Sequence, residues 1–190
     1  MNKNLNLRPS LIVAFIALAG LSRLLPHPYN FTPIGGMALF GAAYFSRKYL
    51  ALIVPFVALW ISNLLLDNLI YAQYYEGFVW VSNPAVFIAF ALIALVGWGL
   101  LKKVTLGRLL GSSLSASAIF FIVSNFGSWL DSGIYPRTWD GLVACYVAAV
   151  PFFQNTLAGD LFYVAVLFGS YELVRRTWPK LALHKAADQA

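Results

Sequence analysis

Hydrophobic positions run along this chain in about six long stretches, over residues 8–25, 32–45, 49–67, 83–101, 107–130 and 152–174, broken by short polar connections. A helix needs about 20 apolar residues to cross a bilayer. The pattern predicts an all-α integral membrane bundle of about six transmembrane helices, one domain over residues 1–190, with a flexible tail at 181–190. The second stretch departs from the rest. Its roughly 15 residues reach about 21 Å as a helix, less than the ~30 Å hydrocarbon core. It opens with Pro33 and Gly35-Gly36. We expect a short or half-inserted span, tolerated where it lines a cavity within the protein. A shorter apolar run over residues 141–150 is expected to be helical at or in the outer leaflet.

Charge sets the orientation. Threading the stretches alternately through a bilayer puts Lys3, Arg8, Arg47, Lys48, Lys102, Lys103, Arg108, Arg175, Arg176, Lys180 and Lys185 on one side. Only Arg23 and Arg137 fall on the other. Cytoplasmic loops collect Lys and Arg, so both termini are expected in the cytoplasm, and the location is the cytoplasmic membrane of a bacterium. Tyr71, Tyr74, Tyr75, Phe78 and Trp80 gather in the outer connection at 68–82, as aromatic residues do at headgroup level. Residues 1–19 have the outline of a secretory signal, with Ala17-Leu18-Ala19 as the cleavage site. The apolar run continues through Leu25, which favours a retained first span.

Composition narrows the class. Of 190 residues, 61% are hydrophobic and 11% charged, against roughly a quarter charged in a soluble domain. The net charge of +6 sits in short pairs at span ends rather than in one basic patch. It reads as topology with the lipid bilayer as partner, not as nucleic-acid binding. The lone Cys145 excludes an internal disulfide and any multi-cysteine metal site, and it reads as an inert packing cysteine. Gly107, Gly111, Ser115 and Ala118 share one face of the fifth stretch and read as a helix-packing stripe.

Polar residues inside the spans concentrate toward the outer side. Asn63 and Asp67 lie in span three, Asn125 and Asp131 at the end of span five, and Gln154, Asn155 and Asp160 in span six. Such residues face the bundle interior or a water-filled cavity, and several at one depth suggest a pocket open to the outside. Asp160 is the deepest carboxylate. It either contacts a ligand or accepts bonds from Asn63, Asn125 or Arg23 and holds the bundle together. Asn63 and Asp67 share a helix face at i, i+4. Trp129 could stack on a flat ligand or anchor at headgroups. His27, Asn30 and Thr32 flank the opening of span two. Ser62-Asn63 with Asp67, and Ser124-Asn125 with Asp131, form a faint repeat of unequal spacing. No P-loop, HExxH or GxSxG motif occurs, so no catalytic residue, cofactor or metal ligand is assigned and the chain is read as a non-enzyme.

The run from Arg23 to Gly36 (RLLPHPYNFTPIGG), with Ala38-Leu39-Phe40-Gly41 and the stretch from Ser62 to Asp67 (SNLLLD), resembles the signature of an uncharacterised family of six-span bacterial membrane proteins. Six spans, cytoplasmic termini and an outward polar pocket resemble the substrate-binding S-component of energy-coupling-factor vitamin transporters. That likeness implies capture of a vitamin-like solute from outside and delivery by toppling in the membrane. S-components pack on a membrane partner subunit through Ala-x-x-x-Ala in the first span. Here Ala14 is followed by Leu18, and the spacing occurs instead at Ala85 and Ala89. The expectation is therefore a small-solute binding and uptake protein. Its ligand contacts would be Asn63, Asp67, Asn125, Trp129, Asn155 and Asp160, with His27, Asn30 and Thr32 as a lid and the outer connections 68–82 and 131–140 closing over the site. The alternative is a non-catalytic structural or assembly subunit of a membrane complex. A third reading is a membrane enzyme using paired carboxylates such as Asp131 and Asp160.

Overall fold

The computed structural model describes residues 7–178, and the 181–190 tail lies outside them. The described chain is all-helical: α1 (Leu7–Ser22), α2 (Ile34–Tyr44), α3 (Lys48–Leu65), α4 (Pro84–Leu100), α5 (Leu106–Asp131) and α6 (Trp139–Thr177). A π-turn, Leu66–Ile70, extends α3, and a single 3-10 turn, Ala72–Tyr74, follows it. Three helical segments are long and apolar enough to cross a membrane: Lys48–Ile70, Leu106–Asp131 and Trp139–Thr177. The other three helices are apolar but shorter.

Local signals explain the boundaries. Asn83 caps α4 by accepting from the Ala85 N–H at 3.0 Å, with Pro84 in the first turn where its missing N–H costs nothing. Thr138 caps α6 through the Gly141 N–H. Arg137 donates to the Leu130 carbonyl at 2.7 Å, placing a cation at the negative end of α5. Arg137, expected on the outer side, is thus a helix cap.

The short α2 is the hub. Nine of its 11 residues are buried, and it packs against all five other helices. Its C-terminal half carries Phe40 into an aromatic cluster. The Phe40 ring centroid lies 5.0 Å from Tyr44, 5.4 Å from Phe168, 5.6 Å from Tyr171 and 6.0 Å from Phe15. Arg8 reaches the Tyr44 carbonyl at 3.4 Å, so a guanidinium faces the negative end of α2. At about 16 Å, α2 is even shorter than the 32–45 stretch suggested, because residues 31–33 remain extended or turned and only Ile34 begins the helix.

Two sequence expectations shift. The short run at 141–150 and the sixth stretch form one continuous helix of 39 residues, with Pro151 inside it. That helix is about 58 Å long, well beyond a ~30 Å core. Its first turns pair with the end of α5, where the Tyr146 hydroxyl donates to the Ile122 carbonyl at 2.6 Å and Phe121 meets Phe153 at 4.8 Å. The packing stripe of α5 also lies elsewhere. Gly107 and Gly111 are exposed with nothing near them, and the buried face is Ser112, Ser113, Ala116 and Ser117. Both faces of this helix are rich in small residues, so residue size alone could not choose between them. Ala85 and Ala89 of α4 lie on its packed side: Ala85 sits against Gly127 of α5 and Ala89 is buried.

If α2 is the hub, Phe40→Ala lowers stability by about 3–5 kcal/mol, and Leu106→Ala, at an exposed position, changes it by less than about 0.5 kcal/mol. Thermal unfolding of both variants in the same detergent measures the contrast.

Candidate functional site

Two buried polar clusters sit on the side of α2 away from its aromatic half. The first surrounds its N-terminus. Pro33 precedes the helix, and the N–H groups of its first turn have no partner within it. Asp160, on α6 and only 3% exposed, supplies one. Its carboxylate accepts from the Gly35 N–H and from the Ser117 hydroxyl of α5 at 2.6 Å. A carboxylate at a helix N-terminus is favoured by the dipole and by the orphan donors. A Cβ at residue 35 would overlap the Asp160 carboxylate, so any larger residue would have to displace it.

The connection into α2 is fastened along the same ridge of α6. Asn155, Gly159 and Tyr163 stand at i, i+4 and i+8 and share one helix face. Asn155 donates to the Tyr29 carbonyl at 3.0 Å. The backbone of Phe31 and Thr32 lies on Gly159, where a Cβ would stand 2.9 Å from the Thr32 nitrogen. The Phe31 ring stacks near Tyr163 at 5.9 Å. Asn30 occupies the left-handed region at φ 63°, which asparagine tolerates better than most residues, and the turn closes with the Phe31 N–H on the Pro28 carbonyl.

The second cluster lies between α1 and α3. Ile12, Ile16 and Ala19 form the buried stripe of α1, and Arg23 continues it just past the helix end, 8% exposed. One guanidinium nitrogen, Nη1, donates to Ser62 Oγ and Asn63 Oδ1, each at 2.6 Å. Its Nε is buried and has no partner among the described residues. Asp67, Tyr71 and Tyr163 are its electrostatic neighbours. Asp67, also 8% exposed, stands in the π-turn, a helix defect common at functional sites. The Ser22 hydroxyl and the Tyr163 hydroxyl are 2.9 Å apart, which links the two clusters.

The aromatic connection folds back over this end of α3. Asn68 donates to the carbonyls of Leu64 and Val79 and accepts from the Val79 N–H at 2.8 Å. Trp60 donates to the Trp80 carbonyl at 3.1 Å. Burial, with the negative charge of Asp67 nearby, raises the Tyr75 phenol above its ordinary pKa, and a hydrogen bond with Ser82 opposes the shift.

The residues singled out in the sequence therefore fall into groups. Asn63 and Asp67 lie in the α1–α3 cluster. Asp160 lies at the α2 terminus, bonded to Ser117 and Gly35 rather than to Asn63, Asn125 or Arg23. Asn155 and Thr32 belong to the fastened connection, as does Asn30, which is itself exposed. His27 is half-buried, with Nδ1 3.2 Å from the Pro28 carbonyl. Asn125 and Trp129 stay apart on the long α5–α6 hairpin: Asn125 donates to the Phe121 carbonyl of its own helix and Trp129 to the Pro136 carbonyl. The two members of the faint repeat thus have different surroundings. Sequence reasoning left Arg23, Ser117, Gly35, Tyr163 and Asn68 out of the candidate site. For Arg23 a signal existed, since alternate threading of the apolar stretches sets it apart from all other cations but Arg137, and it falls on the i, i+4, i+7 stripe of α1. Among the described residues, no group of three or more His, Cys, Asp or Glu could hold a metal ion.

Residues 3–181 match the model of a family of unknown function, DUF6580, and the chain belongs to that family. Neither the curated proteins nor the solved structures contain a match to it.

The α2 terminus makes a double-mutant cycle informative. Asp160→Ala and Gly35→Ala should each destabilise the protein by about 2–4 kcal/mol. Their effects should fall short of additivity by about 1–3 kcal/mol because both remove the same contact. Additive losses would mean that the two residues act independently.

Proposed function

We propose that this DUF6580 member is a six-span protein of the bacterial cytoplasmic membrane, with both termini inside, that binds a small solute from the outer face for uptake. One observation carries the reading: Arg23 and Asp67, residues of opposite charge type each more than nine-tenths buried, stand in one cluster at the C-terminal ends of α1 and α3 without forming an ion pair with each other. Buried charge is costly unless it is matched, and an ionisable residue within the membrane marks a candidate solute or ion pathway. A discontinuous α2 that starts inside the bundle fits the same class, because solute sites in transporters form where helices are broken. The cluster lies beneath the connection held down by Asn68, which would act as its cover. Delivery in the manner of an S-component is the finer form of this proposal.

The assembly-subunit reading keeps one observation in its favour. Asp160, the deepest carboxylate, is engaged entirely by groups of this chain. Native mass spectrometry of protein released gently from its own membrane separates the two. The uptake reading expects a co-purifying small molecule of defined mass that is lost when Arg23 is changed to Gln. Stoichiometric membrane subunits with no small molecule would instead support the assembly role. Topology is tested in parallel: a cysteine placed at Glu76 should react with an impermeant maleimide from outside intact cells, and one at Lys103 should not.

A further inference from the structure

The two charges of the α1–α3 cluster are arranged as a receptor for a second pair of charges. Arg23 is drawn toward Ser62 and Asn63 by two 2.6 Å bonds from a single nitrogen. Its Nε remains buried and unpartnered among the described residues. Asp67 lies in the same cluster, 8% exposed, and forms no ion pair among the described residues. The described ion pairs are those of Glu172 with Arg175 and Arg176, at the other end of the bundle. Asp67 is the foremost attractive charge acting on Arg23, so the two groups are close enough to feel each other. An Arg and an Asp free to meet form a short bidentate pair. These two do not pair: Arg23 is anchored instead on Ser62 and Asn63.

We propose that Arg23 and Asp67 bind the head group of a zwitterionic solute, the solute's carboxylate at the free edge of the guanidinium and its protonated amine at the Asp67 carboxylate. This rests on the uptake reading and adds the ligand class to it. Each buried charge then gains the partner that the fold withholds. A ligand with only one of the two charges leaves the other group buried and unmatched, so the site rejects it. The phenols of Tyr71 and Tyr163, the other electrostatic neighbours of Arg23, border the head group.

The test uses the full chain purified in lipid nanodiscs. Thermal shift and calorimetric binding are measured with free α-amino acids, with the longer β-alanine and γ-aminobutyrate, and with matched N-acetyl acids and methyl esters that each lack one charge. The proposal expects at least one zwitterion to bind, and its singly charged analogues to bind about 100-fold more weakly or worse. Asp67→Asn should erase the preference for the free amine over the N-acetyl acid, and Arg23→Gln should abolish binding of both. The wild-type panel decides even where a variant fails to fold. A neutral or singly charged solute that binds tightly, or that co-purifies from the native membrane, would overturn the zwitterion assignment and leave the uptake reading standing. If no compound in the panel binds and nothing co-purifies, both fall. If none in the panel binds but a molecule co-purifies, its charge state decides the assignment.

Discussion

The carboxylate of Asp160 against the first turn of α2 is the contact on which the rest of the arrangement depends. A helix of 11 residues that is buried on nearly every side cannot satisfy its own terminal N–H groups, and no solvent surrounds them. The protein meets this with an anion from α6, steadied by Ser117 of α5, at one end, and with the Arg8 guanidinium at the other. Both ends of the helix dipole are therefore complemented. With α2 fixed in depth, the connection before it must descend into the bundle, and it lies along the Asn155–Gly159–Tyr163 ridge. Removing the carboxylate would leave the Gly35 N–H without its partner, at a cost of about 1–3 kcal/mol, and the Ser117 hydroxyl with the Ser113 carbonyl alone.

The two polar clusters divide structural and chemical work. Asp160 itself finds partners within the chain, which suits a joint between helices. Around Arg23 and Asp67 the partners are incomplete, and the backbone departs from regular helix. The hydroxyl contact between Ser22 and Tyr163 joins the two, and Tyr163 also packs against Gly36. A change at the Arg23 cluster thus has a short physical route to the start of α2. For a protein that captures a solute and then rearranges, such a joint is where a bound ligand would act on the fold.

Much of the fold was legible in the sequence. The apolar runs marked all six helices, and Pro33 with Gly35-Gly36 marked the second as short. By length and composition three helical segments are long and apolar enough to cross a membrane, and α1, α2 and α4 are apolar but shorter. The 39-residue α6 reads in the sequence as two pieces, a short apolar run over 141–150 and a span over 152–174, with Pro151 between them. The helix continues because proline removes a single hydrogen bond, and neighbouring α5 pairs with both sides of it. On α5 both faces carry small residues, so the buried one emerged only from its partners. For the polar positions, the pattern singled out Asn63, Asp67, Asn155 and Asp160 but could not say which groups each would meet. Asp160 is matched by a backbone N–H and a serine, two groups with no distinctive sequence signal. The π-turn at Asp67 likewise has no residue code, since it is set by how residues 66–82 fold back on α3.

Amide hydrogen exchange across residues 23–45, in the full chain in nanodiscs, tests the central claim most directly. The wild type should protect α2 as strongly as the middle of α6. Asp160→Ala should strip protection from the first turn of α2, and Asp67→Asn should leave it intact, because one carboxylate holds the helix and the other does not. An α2 that exchanges freely in the wild type, or that keeps its protection without Asp160, would contradict the account.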